Sequence, residues 1–233
     1  MNFIGFIPAR SGSKRMPDKN IKLLKNKPLI FWTIESFVEC KRVSKIIFSS
    51  DSEDYIEIVK KKFGDDKLCY HKRTESEAGD KVKIFDYIKN NIQLISNKPD
   101  DVLILGLPTA PFRNSIHINE CIDLHQKKQK PIFSASEFNF PIKFAFNIKE
   151  DLIWETVFED NPMCNGNTRS QDHVLYYRPN GAIYVRKISD FNNPKLKTLY
   201  EDALPYLMNK EFSIDIDDEF DFQIAESIIN LNR

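Results

Sequence analysis

Two stretches near opposite ends of the chain carry the side chains that phosphate chemistry requires. Residues 7–20 (IPARSGSKRMPDKN) combine cations, small hydroxyl residues and a glycine. Residues 212–218 (FSIDIDD) hold two aspartates separated by one residue. A basic loop and paired carboxylates, if they meet in space, are the parts needed for group transfer from a nucleoside triphosphate. The candidate residues of the loop are Arg10, Ser11, Gly12, Ser13, Lys14, Lys19 and Asn20, and those of the acidic segment are Asp215 and Asp217.

The basic segment is predicted to be the loop that leaves the first strand of an α/β domain. It follows the apolar run 3–7 and precedes a helical pattern that begins near Pro28. Gly12 is expected to let the backbone turn its amides toward an anion. The segment matches neither the GxxxxGK[ST] phosphate loop nor the GxGxxG fingerprint, and a solvated basic turn is the alternative interpretation.

The acidic segment is predicted to be a strand that carries a metal site. Strand alternation would place Phe212, Ile214 and Ile216 toward the core and both aspartates on the opposite face. Their Cα atoms would then lie about 6.5 to 7 Å apart. At an effective dielectric constant of about 20 the two charges would repel by about 2.5 kcal/mol, which a hard divalent cation reverses. Oxygen ligands without cysteine or histidine suit Mg²⁺, and a solvated acidic strand edge is the alternative.

The positioning elements are predicted from a regular alternation of strand and helix patterns. Apolar runs at 45–50, 67–71, 102–107 and 132–136 have strand character, and the segments between them have helical periodicity. This rhythm favours a doubly wound, mostly parallel sheet that binds ligand at the carboxyl ends of its strands. At 233 residues, the chain is expected to form a single domain, 1–233.

The segment from 138 to about 180 interrupts that rhythm. Its first part is aromatic and β-like, with Phe140, Phe146 and Trp154 among the residues that would belong either to the core or to a dimer interface. A polar loop at 160–172 follows, and Arg169, Gln171 and Arg178 lie in or near it. A loop that carries arginine suits recognition of a carboxylate or phosphate, although charged residues also simply solvate surface loops.

Composition excludes several classes of protein. Hydrophobic residues make up 41% and charged residues 29%, which argues against wholesale disorder. The 34 basic and 34 acidic residues cancel, so the chain has no global field to hold nucleic acid. Four separated cysteines without a CxxC pair argue against zinc, and all but Cys164 lie in or beside apolar runs, which suggests buried thiols in a reducing compartment. With no long apolar run, the chain is expected to be cytoplasmic and to have no membrane partner.

The chain resembles the CMP-sialic acid synthetase family, the acylneuraminate cytidylyltransferases. The resemblance begins with residues 7–36 and recurs, in the family's order, in four later segments that together span nearly the whole chain. These are SSDSEDYIEIVKK (49–61), PTAPFR (108–113), RSQDHVLYYRPNGAIYV (169–185) and SIDIDDEFDFQIAE (213–226).

The resemblance implies a fold, a reaction and a set of roles. The fold would be that of nucleotide-diphospho-sugar transferases, with a β-rich dimerisation arm at about 138–180 and hence a homodimer. The reaction would join CTP to a nine-carbon α-keto acid sugar, giving a CMP-sugar and pyrophosphate for surface polysaccharide biosynthesis. Carried over by position, the basic loop together with Arg73 and Asp80 would bind CTP. Arg10, Lys14, Asp215 and Asp217 would be catalytic, and the two aspartates would hold Mg²⁺. Arg169, Gln171, Arg178 and the residue at position 107 would face the sugar.

Three departures from the family pattern bear on the sugar and the loop. Leu107 stands where a glutamine is common, Ser170 replaces an arginine, and the loop reads SGSK instead of GGSK. The first two make a sialic, legionaminic or pseudaminic acid equally admissible, because a lost polar contact shifts specificity strongly. The alternatives are a CMP-KDO synthetase or another sugar nucleotidyltransferase, and a non-catalytic nucleotide-binding protein of the same fold.

Overall fold

The computed structural model describes residues 1–231 and has a seven-stranded central sheet with the strand order β11-β7-β10-β6-β1-β4-β5. Two small antiparallel pairs, β2 with β3 and β8 with β9, lie outside it. The strands are β1 Phe3–Pro8, β2 Leu23–Leu24, β3 Lys27–Pro28, β4 Val43–Ser50, β5 Leu68–Lys72, β6 Val102–Leu105, β7 Ile132–Glu137, β8 Phe146–Ile148, β9 Trp154–Thr156, β10 Tyr177–Lys187 and β11 Leu204–Leu207. The helices are α1 Leu29–Glu39, α2 Glu53–Phe63, α3 Glu75–Ala78, α4 Ile84–Asn90, α5 Ile92–Ile95, α6 Ser115–Lys128, α7 Pro162–Asn165 and α8 Glu219–Leu231.

The predicted doubly wound, mostly parallel sheet is confirmed. Strands β6, β1, β4 and β5 are parallel neighbours, so their carboxyl ends meet at one edge of the sheet. Strand β10 is antiparallel to both β6 and β7, and its N-terminal half therefore reaches the same edge. The loops that follow β1, β5 and β6 and the beginning of β10 together form the rim on which a ligand site is expected.

Apolar side chains fill both faces of the sheet. One cluster joins α1, α2 and α6 to the sheet, and a second joins α4 and α5 to the opposite face. The fully buried Phe37 of α1 lies directly over Gly5 and Gly106, where an added Cβ would come within 2.6 and 2.5 Å of its ring. The absence of side chains at these glycines lets α1 pack close to β1 and to the end of β6.

The helix boundaries follow local signals in the sequence. Ser52 caps α2 by accepting a hydrogen bond from the Tyr55 amide, and Gly64 ends that helix with a φ of 66°. Asp218 accepts from the Asp221 amide at 3.0 Å and so caps α8. Pro28 lies one residue before α1 and is not its first residue, because its ψ of 137° is extended.

The prediction of a strand at 212–217 is wrong. A 3₁₀ turn, Lys210–Phe212, is followed by an irregular segment that lies outside the sheet and pairs with no strand of the described residues. The Ile216 amide donates to the Thr109 carbonyl at 2.7 Å, and Asn180 donates to the Ser213 hydroxyl at 2.9 Å. These tertiary hydrogen bonds take the place of the backbone hydrogen bonds that a neighbouring strand would supply. They determine the conformation of the segment despite its strand-like alternation of apolar and polar residues.

The aromatic segment leaves the main sheet, as the sequence indicated. Phe146 and Trp154 face each other across the β8–β9 pair at 5.8 Å between ring centroids, and both remain about half exposed. Residues 177–180 belong to β10 of the central sheet.

Two further sequence-based expectations concern the cysteines and membrane helices. Cys40 and Cys121 are buried as predicted, whereas Cys69 is exposed, contrary to expectation. Within residues 1–231 no helix has the length and apolar character needed to cross a bilayer.

Candidate active site

A cleft of about 640 Å³ opens at the carboxyl ends of the parallel strands and brings the basic loop and the acidic segment together. Its walls come from the loop after β1, the α3 region after β5, the loop after β6 and the segment before α8. The lining residues predicted from the sequence are Arg10, Ser13, Lys14, Lys19, Asn20, Arg73, Asp80, Leu107, Asp215 and Asp217.

The tip of the basic loop is held across the cleft by one carboxylate. Arg10 donates to Asp80 Oδ1 at 2.8 Å, and Lys14 Nζ lies 2.5 Å from Asp80 Oδ2. The hydrogen bond from Lys14, supported by Arg10, keeps the pKa of Asp80 below its usual range. Both cations therefore lie at the cleft. A triphosphate that bound them would have to replace Asp80 as their anionic partner.

Two loop residues have a different position from the one expected. The amide and hydroxyl of Ser11 both donate to Asp51, at 2.8 and 2.6 Å, so this serine fastens the loop to the end of β4. Gly12 has no positive φ, and a Cβ at that position would meet no atom of residues 1–231 within 4 Å. Neither residue lines the cleft, and their predicted contact with CTP stays a prediction.

The second half of the loop is buried and anchors the acidic segment. Lys19 donates to the Ile216 carbonyl at 2.7 Å, and its ammonium lies 3.6 Å from Asp217 Oδ1. Burial lowers the pKa of Lys19, and the charges of Asp217 and Asp215 partly oppose that shift. The Asn20 side chain donates to the Arg10 carbonyl at 2.8 Å and so fixes the turn that carries the arginine.

The two aspartates differ in environment. Burial, reinforced by the charge of Asp217, raises the pKa of Asp215, while a hydrogen bond from Thr109 opposes the rise. Asp215 Oδ1 is buried without a hydrogen-bond partner among residues 1–231. Asp217 is half exposed and pairs with Arg15 at 3.1 Å as well as with Lys19.

A buried carboxylate oxygen without a partner is the atom that a cation would satisfy. Within the described part of the chain, no group of three or more His, Cys, Asp or Glu side chains could hold a metal. The candidate donors are the two carboxylates Asp215 and Asp217, which both line the cleft and supply oxygen atoms. This set fits Mg²⁺, which keeps several waters and binds through one or two carboxylates and substrate phosphates.

The wall beside Asp215 is formed by β6 and β10. Gly181, with a φ of 71°, lies at an irregularity in β10, and a Cβ there would be 3.5 Å from Leu107 Cδ1 and 3.6 Å from Asp215 Oδ2. Arg178 does not line the cleft, but its charge lowers the pKa of Asp215, so it lies within electrostatic reach. Leu107 therefore presents an apolar surface next to the carboxylate.

Two residues predicted to face the sugar lie apart from the cleft. Arg169 is exposed and pairs with Asp172 at 3.6 Å, and Gln171 is exposed in a short 3₁₀ turn, Ser170–Asp172. Neither lines the cleft, so their role stays a prediction.

Several lining residues were missed in the sequence. Glu77, Tyr87 and Thr109 all border the cleft, as does Arg15 of the basic loop. Thr109 lies within the segment 108–113 that resembles the family, and this resemblance was a usable signal. Tyr87 lies on α4 and reads as an ordinary apolar position in a helical pattern, so only the tertiary structure reveals it.

Comparisons with known proteins place the sequence among cytidylyltransferases. The profile of the cytidylyltransferase family matches residues 4–228. The N-acylneuraminate cytidylyltransferase of Escherichia coli is 34% identical over 97% of this chain, but the chain spans only 51% of that relative. The CMP-N,N'-diacetyllegionaminic acid synthase of Legionella pneumophila is 28% identical, covering all of this chain and 98% of the relative. The pseudaminic acid cytidylyltransferase of Campylobacter jejuni is 27% identical, with the same coverage.

Solved structures extend the likeness at the level of the fold. The CMP:2-keto-3-deoxy-manno-octonic acid synthetase complexed with CTP superposes with a TM-score of 0.72 at 11% identity, covering all of both chains. The 4-diphosphocytidyl-2C-methyl-D-erythritol synthase of Anaerococcus prevotii reaches 0.66 at 14% identity, covering 100% of this chain and 96% of its own. With the profile covering nearly the whole sequence, the chain belongs to the cytidylyltransferase family, and its relatives include the CMP-nonulosonic acid synthetases that the sequence resembles.

Proposed function

We propose that the protein is a cytidylyltransferase that couples CTP to a nine-carbon α-keto acid sugar and releases pyrophosphate. The observation that carries the proposal is the meeting of Arg10, Lys14 and Lys19 with Asp215 and Asp217 in one cleft. Relatives of matching length are named for legionaminic and pseudaminic acids, and longer ones for N-acylneuraminate. The anomeric hydroxyl of the sugar would attack the α-phosphorus of CTP, and the bond to the β-phosphate oxygen would break.

The residues divide this work by charge. Arg10 and Lys14 reach the cleft from the basic loop and would neutralise the triphosphate after leaving Asp80. Lys19 is fixed beside Asp217 and would stabilise negative charge that develops on the phosphates near the two aspartates. Asp215 and Asp217 would hold Mg²⁺, which supplies charge neutralisation on the phosphate oxygens when bound. Ser13, Asn20 and Arg73 would complete the nucleotide side, and Asp80 would lie near the nucleotide once the two cations have left it.

Fewer of the proposed sugar-binding residues than of the proposed nucleotide-binding residues line the cleft. Leu107 gives the wall beside Asp215 an apolar surface, which suits a substituent that makes no hydrogen bond at that point. Arg178 is within electrostatic reach of the cleft and would pair with the sugar carboxylate. These features leave sialic, legionaminic and pseudaminic acids as candidates, with KDO as the main rival substrate.

The exposed aromatic pair on β8 and β9 suits a second copy of the chain. Phe146, Ile148, Ile153 and Trp154 expose large apolar surfaces on a two-stranded arm. Such a patch is typical of an interface, and we propose a homodimer joined through this arm. An enzyme that consumes CTP is expected to work in the cytoplasm.

The deciding experiment is an assay of pyrophosphate release with CTP, Mg²⁺ and a panel of keto acid sugars. We expect release with at least one nine-carbon sugar and little with KDO. Preference for KDO would support the rival enzyme. CTP binding in calorimetry without release for any sugar would support the non-catalytic alternative, and absence of both binding and release would reject a nucleotide function.

A further inference from the structure

Arg73 lies in the wall of the cleft as a buried cation that has no carboxylate partner among the described residues. The residue follows β5 directly and is 7% exposed. Within residues 1–231 its guanidinium forms no ion pair, and its Nη2 is buried without a hydrogen-bond partner. Buried arginines are normally paired, since desolvating a charge is costly. The protein must therefore hold this side chain by other means.

A compact polar network provides that hold. Arg73 Nε donates to the hydroxyl of Ser49 at 3.0 Å, and its guanidinium carbon lies 4.1 Å from the centroid of the Tyr87 ring. The Tyr87 hydroxyl is 2.9 Å from the Ser49 hydroxyl and 3.0 Å from His71 Nδ1. Ser49 and His71 are themselves 3.2 Å apart, so the three polar groups close a ring.

The network joins three separate elements under the cleft. Ser49 lies on β4, His71 is its partner residue on the edge strand β5, and Tyr87 comes from α4. Tyr87 contributes in two ways, because its ring face attracts the guanidinium and its hydroxyl fixes the ring to both strands. Of these three residues only Tyr87 also lines the cleft.

We propose that Tyr87 is a positioning residue that, together with Ser49 and His71, presents the guanidinium of Arg73 to the nucleotide. This inference rests on the proposed function, since it takes CTP as the ligand. It assigns Tyr87 no contact with the reacting atoms. Loss of its hydroxyl leaves the ring but releases it from the two strands, so Arg73 is held less firmly and nucleotide affinity falls.

The primary test compares Tyr87→Phe with Tyr70→Phe in the full chain. Both variants lose a phenolic hydroxyl, but Tyr70 bonds the Gly64 carbonyl and does not line the cleft. We expect Tyr87→Phe to raise the CTP Kd and KM about fivefold, as for one lost hydrogen bond, with the sugar KM and kcat little changed. Tyr70→Phe is expected to leave all four values unchanged. An unchanged CTP Kd in Tyr87→Phe would overturn the inference.

A double-mutant cycle separates positioning from a general structural effect. If Tyr87 acts through Arg73, then Tyr87→Phe will add no further loss of CTP affinity to Arg73→Gln. Losses that multiply would reject the inference. Ser49→Ala tests the network from β4 when it is combined with Arg73→Gln in the same kind of cycle. It takes the place of Tyr87→Phe if thermal melts show that Tyr87→Phe is unfolded. Failure of the unsubstituted protein to bind CTP would instead reject the proposed function.

Discussion

Asp80 accepts a hydrogen bond from Arg10 Nη1 at 2.8 Å, and its second oxygen lies 2.5 Å from Lys14 Nζ. One carboxylate thus bridges the two loop cations across the mouth of the cleft. A triphosphate that used those cations would have to displace Asp80, so the carboxylate would compete with such a ligand. The exposure of all three side chains limits the strength of this competition.

The first prediction is that Asp80→Asn tightens binding of inorganic pyrophosphate by roughly two- to fivefold at low salt, because Arg10 and Lys14 no longer have a competing carboxylate. Calorimetric titrations at low and high salt test this, and the gain should shrink as salt rises. Asp160→Asn, which removes the exposed partner of Lys143 at a position that does not line the cleft, is the matched control. Weaker pyrophosphate binding in Asp80→Asn would show that Asp80 supports the loop and does not compete with the ligand.

The second prediction concerns the most exposed cation of the cleft. Lys14→Ala should raise the KM for CTP roughly 3- to 10-fold and change the sugar KM much less, because it removes one charge-assisted contact to phosphate. Initial rates with each substrate varied in turn measure the two effects. Lys22→Ala, which breaks an ion pair with Glu219 outside the cleft, should leave both constants unchanged. Equal losses for CTP and sugar would mean that Lys14 does not act on the triphosphate.

The architecture could be predicted because it depends on signals that are local in sequence. Apolar runs such as 102–107 and the Ser52 and Gly64 signals of α2 each dictate their own element, and alternation of elements dictates a parallel sheet. The carboxyl-end rule then places the loop after β1 at the site without any knowledge of contacts. Arg10 and Lys14 were found in this way.

What could not be predicted depends on long-range contacts. The acidic segment alternates like a strand, yet its conformation is set by Thr109, Asn180 and Lys19, which lie far away in sequence. Tyr87 reads as a core residue until β4 and β5 bring Ser49 and His71 beside it. Periodicity reports which face of an element is apolar, but it carries no record of the partner that the element meets.

The third prediction tests the metal assignment. Asp215→Asn and Asp217→Asn should each lower Mg²⁺-dependent pyrophosphate release by about 100-fold or more, since several kcal/mol of charge stabilisation would be lost. Circular dichroism should show an intact fold in both variants. Asp218→Asn is the neighbouring control, because asparagine also caps a helix and Asp218 does not line the cleft. Near-normal turnover in both site variants would remove these aspartates from the metal site.

The fourth prediction addresses the β8–β9 arm. A variant in which Phe146 and Trp154 are both replaced by serine should be a monomer where the unsubstituted protein is a dimer, because both rings are about half exposed on the arm. Analytical ultracentrifugation at several protein concentrations measures the change. Phe220→Ser, at an exposed aromatic position on α8, is the control that should leave the assembly unchanged. A dimer that survives the double substitution would place the interface elsewhere.

The fifth prediction links the raised pKa of Asp215 to stability. Because burial raises this pKa in the folded protein, the folded state binds more protons than the unfolded state between the two pKa values. The free energy of unfolding therefore falls as pH rises through that window, and the full penalty is present once the pH exceeds the raised pKa. Asp215→Asn should then raise Tm at pH 7 without divalent cations, by about 2–4 °C for each 1 kcal/mol recovered.

The dependence on pH and on metal separates this effect from a general gain in stability. The difference in Tm should vanish as pH falls below about 3.9, where the carboxyl is protonated in both states. Added Mg²⁺ should raise the Tm of the unsubstituted protein and leave that of Asp215→Asn nearly unchanged. Thermal melts from pH 3 to pH 8, with and without Mg²⁺, measure both trends. If Asp215→Asn is less stable than the unsubstituted protein at pH 7 without metal, the buried carboxylate stabilises the fold itself and the assignment of a cation site to it is wrong.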